Sequence, residues 1–241
     1  MKLPVIEGVI DRRILINYQA EEEVLNRFLP EGLRPKLVKG KGIVGICLIR
    51  LKNIRPKAFP KAMGISSENG AHRIAVEWHE AGALKEGVYI PRRDTSSRIN
   101  ALVGGRIFPG KHYYAKFQQK EIGQRYNVSF QSEDGTYLSI KACESKSWEK
   151  ESVFEDMSCA SSFMEKGSVG YSPLIEKGKF EGLELKTKNW AVSGLKVEAV
   201  KSSFFEDESI FPRGSIKFDN ALLMKNIEHE WIKLKDKPRF H

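Results

Sequence analysis

The sequence predicts a mainly β protein, a barrel or a sandwich with few helices. Three observations carry that prediction. Runs rich in β-branched and aromatic residues recur along the chain, turn residues punctuate them, and few segments hold helical periodicity. With 241 residues, no internal repeat and no linker-like shift in composition, a single domain over 1–241 is the simplest organisation.

Taken in order, residues 9–18 (VIDRRILINY) open the sheet, because β-branched side chains suit a pleated surface. A helix is expected over 20–28, where three glutamates suit the positive end of the helix dipole and Pro30 stops the run. Residues 38–43 read as a turn into the apolar strand IVGICLIRL, which ends near Pro56. Further strands are expected over 73–79, 87–91, 112–118, 126–131, 136–142, 180–185, 196–203 and 221–231. Glu133-Asp134-Gly135 is a hairpin signal, since an Asp-Gly pair accepts positive φ. A short helix is expected over 96–103, ended by Gly104-Gly105. A longer one over 152–166 would align Val153, Phe154, Met157, Ala160, Phe163 and Met164 as a core-facing stripe before Gly167.

Composition narrows the function classes. No apolar run approaches the roughly 18 residues of a membrane helix, so no membrane partner is expected. The N-terminal MKLPVIEGVIDRR lacks the apolar stretch of a signal peptide, which points to a cytoplasmic location. The formal charge of +9 invites a nucleic-acid reading, but most cations are interleaved with acids. The run Arg50, Lys52, Arg55, Lys57 and Lys61, without an acid until Glu68, reads as a solvated face, so a nucleic-acid partner is not favoured. Cys47, Cys143 and Cys159 are odd in number and far apart, as reduced core thiols are.

Candidate chemistry is concentrated between residues 86 and 117, EGVYIPRRDTSSRINALVGGRIFPGKHYYAKF. Arg92, Arg93, Arg98, Arg106 and Lys111 lie there beside His112 and the Tyr113-Tyr114 pair. Guanidinium groups offer a planar fork for carboxylate or phosphate, and two or three in one barrel mouth would define an anion pocket. The alternative is pairing with Asp94 and other acids, or solvation. Glu77 and His79 share a strand face, with Glu80 adjacent, as acid–base chemistry or an exposed polar face would both have it. His72, His79 and His112 show no ligand spacing, so no metal site is expected. No Gly-x-Ser-x-Gly elbow, phosphate loop, dinucleotide fingerprint or cysteine in an electropositive motif is visible, and no cofactor is implied.

RFLPEGLRP at 27–35, the following apolar strand, EGVYIPRRDTSSRINALVGGRIFPG and the late SSFF…FPRGS…ALLMKNIEHEW pattern resemble a bacterial family of unknown function. These YqjF-like proteins are grouped by fold with the acetoacetate decarboxylases, and the resemblance runs over roughly residues 8 to 232. It implies a closed, cone-like antiparallel β-barrel with an interior cavity and a few peripheral helices. The decarboxylases form a Schiff base between a lysine and a β-keto acid, within a Gly-Arg-Glu…Gly-x-Pro-Lys-Lys motif. Aligned without a gap, this chain puts Tyr113 at the reactive lysine; with one extra residue it puts Lys111 there and His112 at the second lysine. A Schiff-base lysine needs about three units of depression from its usual ~10.4, and a histidine helps by repulsion only when protonated.

The resemblance therefore implies a cavity that takes a small anionic or carbonyl-bearing molecule, without Schiff-base decarboxylation. Arg98 and Arg106 would anchor the anion, His112 would contact it, and Tyr113 would donate a hydrogen bond or proton. Glu77 would be the carboxylate partner, with Glu80 as its substitute. Lys111 is a nucleophile only under the gapped alignment. A non-catalytic binding or interaction protein on the same barrel is the rival reading, and a homo-oligomer stays open.

Overall fold

Long strands that change partners part-way along build this fold. The computed structural model describes residues 4–103, 110–174 and 179–234. The first half is carried by β1 (Ile6–Glu21), β4 (Lys41–Pro56), β5 (Ile65–Glu80) and β6 (Ala83–Thr95), with the short β2 (Arg34–Pro35) and β3 (Leu37–Val38) beside them. The second half adds β7 (His112–Ile122), β8 (Arg125–Ser132), β9 (Tyr137–Glu144), β10 (Val169–Pro173), β11 (Phe180–Thr187), β12 (Ser193–Ser202) and β13 (Ile216–Lys233). Helices are α1 (Glu22–Phe28), α2 (Arg98–Val103) and α3 (Met157–Lys166).

All the described strands join one sheet, and that sheet closes on itself twice. One circuit runs β13–β1–β4–β5–β6–β10–β11 and back to β13. The other runs β6–β7–β8–β9–β12–β13–β1–β4–β5 and back to β6. They share five strands because β6 and β13 each split their pairing. Val88 and Tyr89 of β6 pair with β10, whereas Arg93, Asp94 and Thr95 pair with β7. Between these halves the β5–β6 register slips, at the stretch holding Ile90 and Pro91. Proline has no N–H for a ladder, so a bulge there is where it fits. The β6–β7 and β6–β10 pairings are parallel, so the sheet is mixed rather than wholly antiparallel, with mostly antiparallel ladders.

Alternation gives the shared strands two buried faces. Ile14, Ile16, Val44, Ile46 and Leu48 join Val128, Phe130 and Ile140 in the core of the larger circuit. Ile10, Leu15, Cys47, Leu51, Leu222 and Met224 form the other core, which α3 covers through Ala160 and Met164. The α3 helix begins five residues later than its apolar stripe predicts, because the Asp156 side chain caps it by accepting from the Cys159 N–H at 2.8 Å. Val153 and Phe154 are buried ahead of the helix, whereas Met157 is 36% exposed. The Asp134-Gly135 hairpin joins β8 to β9 with Gly135 at φ 87°.

Gly45 is where β1 and β4 approach most tightly. A Cβ there would meet the Ile16 carbonyl oxygen at 2.2 Å, and a backbone atom cannot swing aside. Gly45→Ala should therefore cost roughly 1–3 kcal/mol of stability, read as a lower urea midpoint at constant slope; an unchanged midpoint would show that the two strands yield to the added methyl group.

The basic run that begins in β4 is largely ion-paired, although Lys52 and Lys57 are half or more exposed. Arg50 donates to Glu68, Glu121 and Asp11, Lys52 to Asp11, Arg55 to Glu7 and Lys57 to Glu230. Its counter-charges come from other strands, where spacing along the sequence cannot reveal them.

Candidate functional site

The smaller circuit encloses a cavity whose walls come from all seven of its strands. Ile10 and Arg13 of β1, Cys47 of β4, Arg73 of β5, Arg93 of β6, Gly170 of β10, Leu185 of β11 and Trp231 of β13 line it. Its volume is about 80 Å³, against about 10–15 Å³ for a single water on that scale. A second lobe of about 50 Å³ shares Ile49, Ala71, Arg93, Leu183 and Trp231 and reaches Asn100 and His112.

Three guanidinium groups project into this interior from neighbouring strands, and none has a carboxylate within salt-bridge distance among the described residues. Arg13 donates to the Cys47 Sγ at 3.4 Å and reaches the Met224 Sδ at 3.9 Å. Arg73 is 5% exposed; it donates to the Asn17 Oδ1, and its Nε has no partner among the described residues. Arg93 donates to the Ser172 Oγ at 3.2 Å. Burial pulls Arg93 down to about 10 and lowers Arg73 as well, the thiol of Cys47 offsetting part of the loss. An uncompensated buried cation is costly, so an anion entering here gains the pairing that the chain withholds.

Cys47 is 2% exposed, and burial alone would push its thiol up. Arg13 and Arg73 outweigh burial and hold it below the ordinary thiol range. Cys47 thus does sit in an electropositive setting, contrary to the reading of its sequence neighbourhood, because both arginines arrive from other strands. Of the other two cysteines, Cys143 is partly buried and Cys159 exposed, so only Cys47 is a core thiol.

Neither Lys111, the candidate nucleophile, nor Tyr113, the candidate proton donor, lines this cavity. In the parallel β6–β7 pairing His112 lies beside Arg93, and His112 is the residue that lines the interior. Its Nδ1 is 3.1 Å from the Gly110 carbonyl oxygen. Burial, reinforced by Arg93, lowers it to about 3, so the ring is neutral near pH 7. Lys111 is exposed, with its ammonium 4.6 Å from the centre of the Tyr113 ring. Tyr113 alternates to the other face, where its ring also carries the Arg92 guanidinium at 4.1 Å. Arg92 is occupied by Asp94 and Asp134.

Arg98 is exposed on α2 with the Tyr114 ring 5.2 Å away. Arg106 lies outside the described residues. Glu77 and Glu80 are on β5, six and nine residues beyond Ala71, or about 20 and 30 Å along an extended strand. Glu77 and His79 line a separate groove with Arg34 and Leu84. Of the expected site residues, then, His112 reaches the cavity, while Lys111, Tyr113, Arg98, Glu77 and Glu80 lie elsewhere. Arg13, Arg73 and Cys47 went unmarked; the available signal was an arginine or cysteine at an inward position of an otherwise apolar strand. Among the described residues no group of three or more His, Cys, Asp or Glu could hold a metal ion. None of their helices is long and apolar enough to cross a membrane.

Comparison with known proteins supports this architecture. The DUF2071 family, described as an uncharacterized conserved protein, matches residues 10–210. No curated protein matches the sequence. Among solved structures, acetoacetate decarboxylase from Legionella pneumophila superposes with a TM-score of 0.60 at 10% identity, over 96% of this chain and 87% of that one. An acetoacetate decarboxylase-like enzyme from Sphingomonas wittichii RW1 gives 0.58 at 9%, over 98% and 94%. The enduracididine biosynthesis enzyme MppR, complexed with pyruvate, gives 0.57 at 9%, over 100% and 91%.

Proposed function

Since the chain belongs to the DUF2071 family and has an acetoacetate decarboxylase-like fold, we propose that its smaller circuit binds a small carboxylate, carbonyl-bearing or not, without Schiff-base chemistry. The observation that carries this reading is the convergence of Arg13, Arg73 and Arg93 on one cavity with no carboxylate partner among the described residues. A carboxylate presents two oxygens to such forks and leaves the apolar walls, Ile10, Ile49 and Leu185, to hold its carbon skeleton. One relative by fold, MppR, is complexed with pyruvate, a ligand of the proposed kind.

Among the described residues no lysine lines either lobe, and Lys111, just ahead of β7, is exposed. That argues against an imine at this site. His112, neutral at the cavity wall, serves as a hydrogen-bonding group rather than a second cation.

Calorimetry with pyruvate and lactate tests the reading. Arg73→Ala and Arg93→Ala should each weaken binding by roughly ten- to a hundredfold, the worth of a hydrogen bond to a charged group. Arg98→Ala should leave it unchanged. Equal weakening by Arg98→Ala, or none by the two cavity substitutions, would place the anion elsewhere. Borohydride added with acetoacetate should leave the intact mass unaltered, and an adduct mapped to Lys111 would restore the Schiff-base reading.

A further inference from the structure

We infer that Cys47 is a nucleophile for the carbonyl carbon of a 2-oxo carboxylate held in the arginine cavity, forming a reversible thiohemiketal. The inference rests on the anion-binding reading and adds to it a substrate class and a bond.

Geometry carries the argument. Cys47 belongs to the cavity wall itself, and its Sγ is 3.4 Å from an Arg13 nitrogen. A thiolate needs that kind of cationic contact to persist in an apolar interior. Arg73, nineteen-twentieths buried and lining the same space, keeps an Nε with no partner among the described residues. The site therefore holds a donor beyond those that its own thiol and Asn17 engage. A ligand carboxylate at Arg73 and Arg93 would leave the adjacent carbonyl carbon facing Cys47. The side chains of Ile10, Ile49 and Trp231 line the same space and limit the water that competes for that carbon.

The step balances without a further reagent. The Sγ lone pair forms one S–C bond, and the C=O π pair moves onto oxygen beside Arg13. That oxygen then takes up a proton from solvent, equal to the one the thiol gave up on ionising. Nothing is oxidised or reduced, and reversal returns the free acid. Lactate, which carries the same carboxylate without the carbonyl, can bind but cannot add.

Carbon-13 NMR of the full chain with pyruvate labelled at C2 is the test, with lactate affinity measured in parallel. Wild type should show a bound tetrahedral C2 resonance and prefer pyruvate over lactate by roughly tenfold or more. Cys47→Ala and Cys47→Ser should lose both the resonance and the preference. If wild type binds both acids alike with C2 trigonal, or if the tetrahedral resonance persists in Cys47→Ala as a hydrate would, the inference fails and anion binding stands. If wild type binds neither acid, the anion-binding reading itself fails. Should both variants lose lactate binding through misfolding, bromopyruvate labelling of wild type decides. Label on Cys47 ahead of the exposed Cys159 supports the inference, and label on Cys159 alone overturns it.

Discussion

Arg12→Ala is expected to lower stability by about 3–5 kcal/mol, read from the urea midpoint at constant slope. Arg12 is 2% exposed, and a bulge between Ile10 and Arg12 turns it onto the same side as Ile14. It donates to Glu68 at 2.6 Å and to Glu121, while Arg50 reaches the same two carboxylates from β4. The Glu68 side chain is only 10% exposed. Removing Arg12 leaves two acids to one cation in a poorly hydrated place, and that residual charge is the source of the cost. Arg50 compensates in part, so the lower end of the range is expected. Glu68→Gln in the Arg12→Ala background should cost less than it does in wild type, because the stranded charge is then gone. A loss under about 1 kcal/mol for Arg12→Ala would mean that water screens the network as it does surface pairs.

Acid should unfold the protein well above the carboxylate range. His72 is fully buried, packed on the rings of Phe204 and Phe205 at 4.5 and 5.6 Å; neither ring nitrogen has a hydrogen-bond partner among the described residues, and Nδ1 stands 3.9 Å from the Asp94 carboxylate. Burial, then Arg92, lowers it to about 3. Burial likewise lowers His112 to about 3 and His229 to about 4. In the unfolded chain these rings protonate near 6.5; in the folded protein they stay neutral. Between those values the unfolded state binds more protons, so the stabilisation is complete above about pH 6.5 and drains away as pH falls toward 3–4. Each histidine contributes on the order of 1.4 kcal/mol per pH unit in that window. From pH 7.5 to 5.5 the urea-derived stability should fall by about 3–4 kcal/mol, and His72→Phe should remove about a third of that dependence. Asp134, held near 2 by Arg92, acts in the same direction but only at lower pH. A flat profile down to pH 5 would mean that water reaches these rings, or that the Asp94 carboxylate 3.9 Å from His72 holds its protonated form.

Turn and strand chemistry are local, and that part of the fold was legible. Asp134-Gly135 places a hairpin because the glycine takes the positive φ that the turn needs. Runs of apolar and β-branched residues mark β1, β4 and β13 because both faces of these strands are buried. The division of β6 between β10 and β7 was not legible, since a run such as GVYIPRRD carries no sign of having two partners. The site was harder still. Arg98 and Tyr113 sit in the segment that composition singles out, yet helix α2 and the alternation of β7 aim them away from the cavity. Arg13, Arg73 and Cys47 are separated by dozens of residues and meet only because β1, β4 and β5 are neighbours in register.

By itself the sequence determined a mainly β chain, its turns, most of its strands and a resemblance to proteins of decarboxylase-like fold, because these follow from side-chain periodicity and short motifs. Only the tertiary structure decided that His112, rather than Lys111 or Tyr113, faces inward. That choice follows from the parallel register of β7 on β6, which no single segment encodes. The same pairing of distant strands decided which arginines lack counter-ions among the described residues and which cysteine they surround. Charge compensation is a matter of distances in space, and the chain order of these residues is silent about it.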